Sequence, residues 1–304
     1  MNTTATDLAP AAPRPAYLAG LAIAVGGAVL FSTKAVVAKL LYRYQIDAVT
    51  LIAFRMLFSL PVFAVVALWQ MRVGPPLAPA DRWRLVGLGL IGYYLSSFLD
   101  FLGLQYISVG LERLILFLTP TFVLLITTVF LKQHISRRQW LALLASYGGI
   151  VLVFLHDLRG GAGNVVLGST LVLGSATAYA AYLLASGELV KRIGSLRLVS
   201  YAMCVSSAAC VGQFFLLRPA AMLVQPAGVY WLSLVNGLLC TVLPVFMTMT
   251  AVVRIGAATA SQAGMIGPVS TLFLGALILG EPITPWQLAG TGLVLAGIYM
   301  LSKK

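Results

Sequence analysis

Ten runs of about 20 mostly apolar residues, each closed by a short polar break, govern what this chain can fold into. They cover about 17–38, 49–70, 84–105, 109–131, 138–156, 165–187, 197–217, 228–251, 256–279 and 284–302. A helix needs roughly 20 such residues to cross a bilayer. Backbone groups in hydrocarbon must find their partners within the segment, so the expected fold is an all-α integral membrane protein of ten transmembrane helices. The ten-residue alternating strands of an outer-membrane barrel are not seen. The breaks carry turn residues or charge: GPPLAPADRWR (74–84), RGGAG (159–163), RPAAMLVQPAG (218–228) and EPITP (281–285). None is long enough for a soluble domain. Composition agrees, since only 9% of residues are charged against about 25% in a soluble domain.

The net charge of +12 does not point to nucleic acid, because the basic residues are spread over short loops and form no face or tail. They report topology instead. With the N-terminus in the cytoplasm, thirteen Lys and Arg fall inside (Arg14, Arg72, Arg82, Arg84, Lys132, Arg137, Arg138, Lys191, Arg192, Arg197, Arg254, Lys303, Lys304). Four fall outside (Lys39, Arg43, Arg159, Arg218). Both termini are therefore expected on the cytoplasmic side of a bacterial-type inner membrane. Residues 1–16 read as a disordered cytoplasmic tail, and the apolar run after them as the first span, not a cleaved signal. Cys204, Cys210 and Cys240 lie in apolar runs without disulfide or metal spacing. No cofactor is implied, and oligomeric state is left open.

An internal repeat organises the ten spans. Sliding the chain by 148 positions superposes Pro120 on Pro268, Ile107 on Ile255, Leu124 on Leu272, Leu131 on Leu279, Ile135 on Ile283, Gln139 on Gln287 and Gly149 on Gly297. The same shift places Phe31 on Tyr179, Leu41 on Leu189 and Arg43 on Lys191. Each half, 17–157 and 158–304, holds five spans. Five is odd, so the second half enters the membrane inverted. Inverted repeats around a central cavity are a recurrent transporter plan, with the solute near the midplane.

Three stretches carry a family resemblance: FSTKAVVAK (Phe31 to Lys39), ISVGLERLILFLTPTFVLLITTVFLKQHIS (Ile107 to Ser136) and IGAATASQAGMIGPVSTLFLGALILGEPIT (Ile255 to Thr284). With ten spans in about 300 residues, the chain resembles the EamA-type drug/metabolite transporter superfamily, and its layout is most similar to the amino-acid exporters. The third stretch keeps the family's mid-helix Pro268 and terminal Gly280-Glu281-Pro282. The second departs from it, with Lys132-Gln133-His134 at that ending. The resemblance implies a secondary carrier of small metabolites. Nucleobase, nucleotide-sugar and drug carriers share the pattern.

Polar residues inside the spans are costly and face the bundle interior. Lys34, Arg55, Asp100, Glu112 and Arg113 stand out. At helical spacing Tyr93, Ser97 and Asp100 make one stripe; Ser175, Tyr179, Tyr182 and Ser186 make another. Thr241 and Thr248 are the repeat partners of Tyr93 and Asp100. Spans one, three, four, six, eight and nine are thus expected to line the cavity. Tyr93, Tyr94, Ser97, Tyr179, Tyr182, Thr241 and Gln262 would hold the solute, and Lys34, Asp100 and Arg113 would meet its charges. The plainer readings are that the tyrosines are packing aromatics, that Lys34 and Asp100 are a structural ion pair, and that Glu112 and Arg113 stand at a solvated mouth. Arg55 is expected to snorkel or pair with one neighbour. Pro120 and Pro268 kink their helices and are candidate hinges; coupling to protons through Asp100 or Glu112, or simple facilitation, both fit. No HExxH, DDxxD, GxSxG or P-loop occurs, which argues against an enzyme or a directly ATP-driven pump. The partners expected are a small-molecule solute and the lipid bilayer.

Overall fold

The computed structural model describes residues 14–132, 135–159 and 164–302. Most of the expected tail, Gln133, His134, positions 160–163 and Lys303 and Lys304 lie outside the described residues. Among the described residues the chain runs through ten long helices: α1 (Tyr17–Tyr42), α2 (Ala48–Val73), α3 (Pro79–Leu104), α4 (Val109–Phe130), α5 (Arg137–Arg159), α6 (Val165–Ile193), α7 (Ser195–Leu217), α8 (Ala227–Gly256), α9 (Thr259–Leu279) and α10 (Pro285–Ser302). The first nine are each long and apolar enough to cross a membrane. The tenth has 18 residues, or about 27 Å of helix. Polar side chains start several of them. Asp47, Ser108 and Asn164 each accept a hydrogen bond from the backbone N–H three residues on, which satisfies one of the free amides of a helix start.

Helix pairing obeys a two-fold exchange of the halves. Helix α1 packs on α8 and α9, as α6 packs on α3 and α4; α2 pairs with α7, and α5 with α10. Close glycine contacts carry the symmetry to single residues. Gly168 lies against Tyr106 and Ile107, and Gly20 against Arg254 and Ile255. Likewise Gly149 touches the carbonyl of Gly290, while Gly297 touches that of Ala142. In every case the two contacts interchange by moving each residue 148 positions. With five helices per half, this exchange makes the repeats inverted.

The α5–α10 seam depends on missing side chains. A β-carbon at Gly297 would stand 2.6 Å from the Ala142 carbonyl oxygen and 2.1 Å from Ser146 Oγ. Backbone cannot yield as a side-chain tip does. Gly297→Val is therefore expected to destabilise the protein by about 1–3 kcal/mol, seen as a lower unfolding temperature in detergent. Gly292, which has open space around it, should tolerate alanine with a much smaller change.

Three irregularities recur at the repeat interval. Helices α3 and α8 each contain a π-helical turn, Leu90–Leu95 and Leu238–Val242, beginning 148 residues apart. Helices α4 and α9 are each broken ahead of the matched prolines. Regular helix stops at Leu116 and at Gly264, the residues four before Pro120 and Pro268, where the proline ring would strike the carbonyl. Both α4 and α9 end on a left-handed residue, Lys132 (φ 51°) and Gly280 (φ 75°). Glycine takes that conformation freely, whereas lysine pays roughly 1–2 kcal/mol.

Candidate functional site

Among the described residues, five charged side chains within the spans gather near one end, none more than 5% exposed: Lys34, Arg55, Asp100, Glu112 and Arg113. They come from α1, α2, α3 and α4, near the end where α1 finishes and α4 begins. Lys34 Nζ donates to Asp100 Oδ2 at 2.6 Å and stands 4.0 Å from Glu112 Oε1. Arg113 donates from Nε to Thr271 Oγ1 of α9 (3.1 Å) and from Nη2 to the Phe31 carbonyl (3.0 Å). Arg55 donates from Nε to Thr241 Oγ1 (2.9 Å). The Thr241 hydroxyl in turn donates to the carbonyl of Asn236, five residues back across the π-turn (2.8 Å). That turn is what aims Thr241 at α2.

Two phenylalanines are shared among the three cations. The Phe101 ring has Arg55 (5.0 Å from Cζ to the ring centre) and Lys34 (5.2 Å) beside it, and the Phe31 ring has Lys34 (5.3 Å) and Arg113 (5.4 Å). A ring face attracts a cation over it, which offsets part of the cost of gathering like charges. Three cations face two carboxylates, a formal surplus of one positive charge. Several polar atoms here have no hydrogen-bond partner among the described residues: Arg55 Nη1, Asp100 Oδ1 and both oxygens of Glu112.

Glu112 and Arg113 are not at a solvated mouth; Glu112 is fully buried. The α9–α10 connection covers the start of α4. Glu281 Oε1 accepts the Val109 N–H (3.4 Å), Gln287 lies over Gly110, and Arg43 ties α1 to the end of α9 by donating to the Leu279 carbonyl (3.0 Å). The Gly-Glu-Pro ending thus serves to close this end of the bundle.

Toward the other end the repeat equivalents of Lys34 and Phe31 are Tyr182 and Tyr179. Tyr93, Tyr179 and Tyr182 form one cluster, with ring centres 5.1 to 6.5 Å apart. The Tyr182 hydroxyl donates to that of Tyr93 at 3.3 Å. The Tyr182 ring fills the space left by Gly92, where a β-carbon would be 2.3 Å from Tyr182 Cγ. Tyr182 is therefore at least a packing residue between α3 and α6.

The remaining expected residues divide. Thr241 joins the charged cluster through Arg55. Ser97 is half-buried, and its neighbour Ser96 is the one that meets Ser175 Oγ on α6 (3.1 Å). Tyr94 stacks on Phe98, apart from the other tyrosines. Gln262 is exposed near the break in α9. Sequence reasoning did not single out Phe101, Asn236 or Thr271. An asparagine inside a span was the available sign for Asn236; nothing in the sequence marks Phe101.

Similarity to other proteins bears the plan out. The chain is 31% identical over 289 residues to the "Uncharacterized transporter YcbK" of Bacillus subtilis, covering 90% of this chain and 89% of that one. It is 24% identical over 207 residues to the "Probable terminal-alkyne amino-acid exporter" of Streptantibioticus cattleyicolor, covering 66% and 67% of the two chains. A solved structure titled "Crystal structure of protein" shares the fold at TM-score 0.65 and 17% identity, over 93% of this chain and 96% of that one. The model of the EamA-like transporter family matches residues 18–155 and again 166–303. This chain belongs to the EamA-like transporter family and is a multi-pass membrane transporter of the drug/metabolite transporter superfamily.

Proposed function

We propose that the protein is a secondary transporter that exports amino acids or related zwitterions by alternating access, binding them at the buried charged cluster. One observation carries this reading: the polar atoms without partners come in both signs. Arg55 Nη1 offers a donor on a fixed positive charge, while Asp100 Oδ1 and the Glu112 oxygens offer acceptors on negative ones. An α-amino acid presents the complementary pair, a carboxylate for the guanidinium and an ammonium for the carboxylates. Phe31 and Phe101 supply apolar surface between them. The similarity to a named amino-acid exporter supports the solute class. The loop charge bias supports an inner-membrane topology with both termini cytoplasmic. The exchange of contacts supports the division into halves 17–157 and 158–304.

Flux of labelled amino acids into liposomes holding the purified protein tests this. A hydrogen bond to a charged group is worth about 1.5–3 kcal/mol, roughly 10- to 150-fold in affinity. Amino-acid esters, which lack the carboxylate, and N-acetyl derivatives, which lack the ammonium, should each compete at least about tenfold more weakly than the parent. Equal competition by the N-acetyl derivative would make the solute a simple organic anion, matching the surplus positive charge. Flux confined to nucleobases or a cationic drug would overturn the solute class while leaving the family membership intact.

A further inference from the structure

Far from the charged cluster, where α2 and α6 finish and α3 and α7 begin, the surface holds a pocket of about 310 Å³. Its lining includes Gly74, Pro75, Ala78, Asp81, Arg192 and Arg197. Arg197 is only 5% exposed. Its Nη2 donates to the Pro75 carbonyl at 2.7 Å, and its guanidinium lies 5.7 Å from the centre of the Tyr201 ring. Its Nε has no hydrogen-bond partner. Gly74 admits the guanidinium, since a β-carbon there would be 2.8 Å from Nη1. The pocket's one carboxylate, Asp81, is engaged by Arg192 at 2.5 Å. Among the described residues no carboxylate lies within 4.0 Å of Arg197.

The surroundings add to the positive field. Arg72, Arg82, Arg84 and Lys191 are exposed at the same end, against Glu188 as the further acid. Helix α7 begins here without a side-chain cap, so the N–H groups of its first turn add the positive pole of the helix. At the opposite end of the bundle the exposed arginine is paired: Asp47 takes Arg218 at 2.6 Å. A guanidinium this buried, with a carbonyl and a ring face as its partners, is costly without an anion. Its planar fork matches the oxygens of a phosphate.

We propose that this pocket binds a phosphate group, with Arg197 as its main ligand and Arg192 at the rim, the headgroup of an anionic phospholipid being the source at a membrane surface. Basic pockets between transmembrane helices take lipid headgroups in this way. Lipid composition would then set the stability of this end of the bundle, independently of the transported solute.

Thermal unfolding of the full chain in detergent tests the proposal, with short-chain phosphatidylglycerol, short-chain phosphatidylcholine and inorganic phosphate as separate probes at matched ionic strength. A hundredfold excess of phosphatidylglycerol over its Kd should raise Tm by about 5 °C, while phosphatidylcholine leaves it unchanged. A rise with inorganic phosphate and none with the lipid would keep the site and make free phosphate its ligand. Arg197→Gln should abolish the rise. Because that variant removes a buried side chain, Ala78→Glu provides a second test: Ala78 is exposed on the pocket wall, and a carboxylate there would compete for the guanidinium and abolish the rise without unfolding the chain. Equal rises with both lipids, no rise with any probe, or a full rise in Ala78→Glu would each overturn the proposal.

Discussion

Replacing Lys34 or Asp100 alone by alanine should lower the stability of this protein by about 3–5 kcal/mol and abolish transport, whereas replacing both with apolar residues should restore stability without restoring transport. The two side chains are 2.6 Å apart and almost wholly buried. Removing one leaves its partner charged, desolvated and without its closest counter-ion. Lys34→Met combined with Asp100→Leu removes both and keeps the formal balance of the cluster, since Arg55, Arg113 and Glu112 remain. Well-packed apolar replacements of a buried pair are often neutral or stabilising. Unfolding in detergent for the two single variants and the double one closes the cycle, and liposome flux for the same proteins supplies the second axis. Stability recovered with flux still absent means that the pair acts on the solute. Both recovered together would make Lys34 and Asp100 an ion pair of structural use alone.

Span positions, the repeat and the buried charges were legible in the sequence because each rests on a one-dimensional signal. Hydropathy marks the spans, an offset of 148 marks the repeat, and a charge inside an apolar run marks itself. What Glu112 faces was not legible. Its place near a helix start suggested water, and the cover comes from Glu281 and Gln287, roughly 170 residues away in the chain. Nor was the order of the cluster. Phe101 looks like any other apolar residue of a span, yet two cations, Lys34 and Arg55, stand over its ring. The π-turns escaped as well, since no residue type specifies them, and they alter which side chains share a face. That is why Ser96, and not Ser97, meets Ser175, and why Thr241 reaches Arg55. Contacts between residues distant in sequence, most of them joining the two halves, decided these.

The two proline breaks give the other large expected effect. Pro120 and Pro268 lie at matched positions, and the breaks they cause touch one another. The Phe117 ring, in the α4 break, lies 3.1 Å from where a β-carbon of Gly267 would stand beside the α9 break. Ser32 of α1 donates to the Gly267 carbonyl at 3.1 Å. On either side of this junction Arg113 of α4 is bonded to Thr271 of α9. A change of bend in one helix is therefore transmitted to the other. Pro120→Ala combined with Pro268→Ala restores a backbone donor to each helix and removes the clash four residues earlier, which straightens both. Turnover should fall at least about tenfold with KM little changed, because the groups that meet the solute stay in place while the step between access states slows. Stability in detergent should rise at the same time. A rise in stability with unchanged turnover would reduce the prolines to shaping the helices. A KM raised as much as kcat falls would place the breaks in solute binding itself.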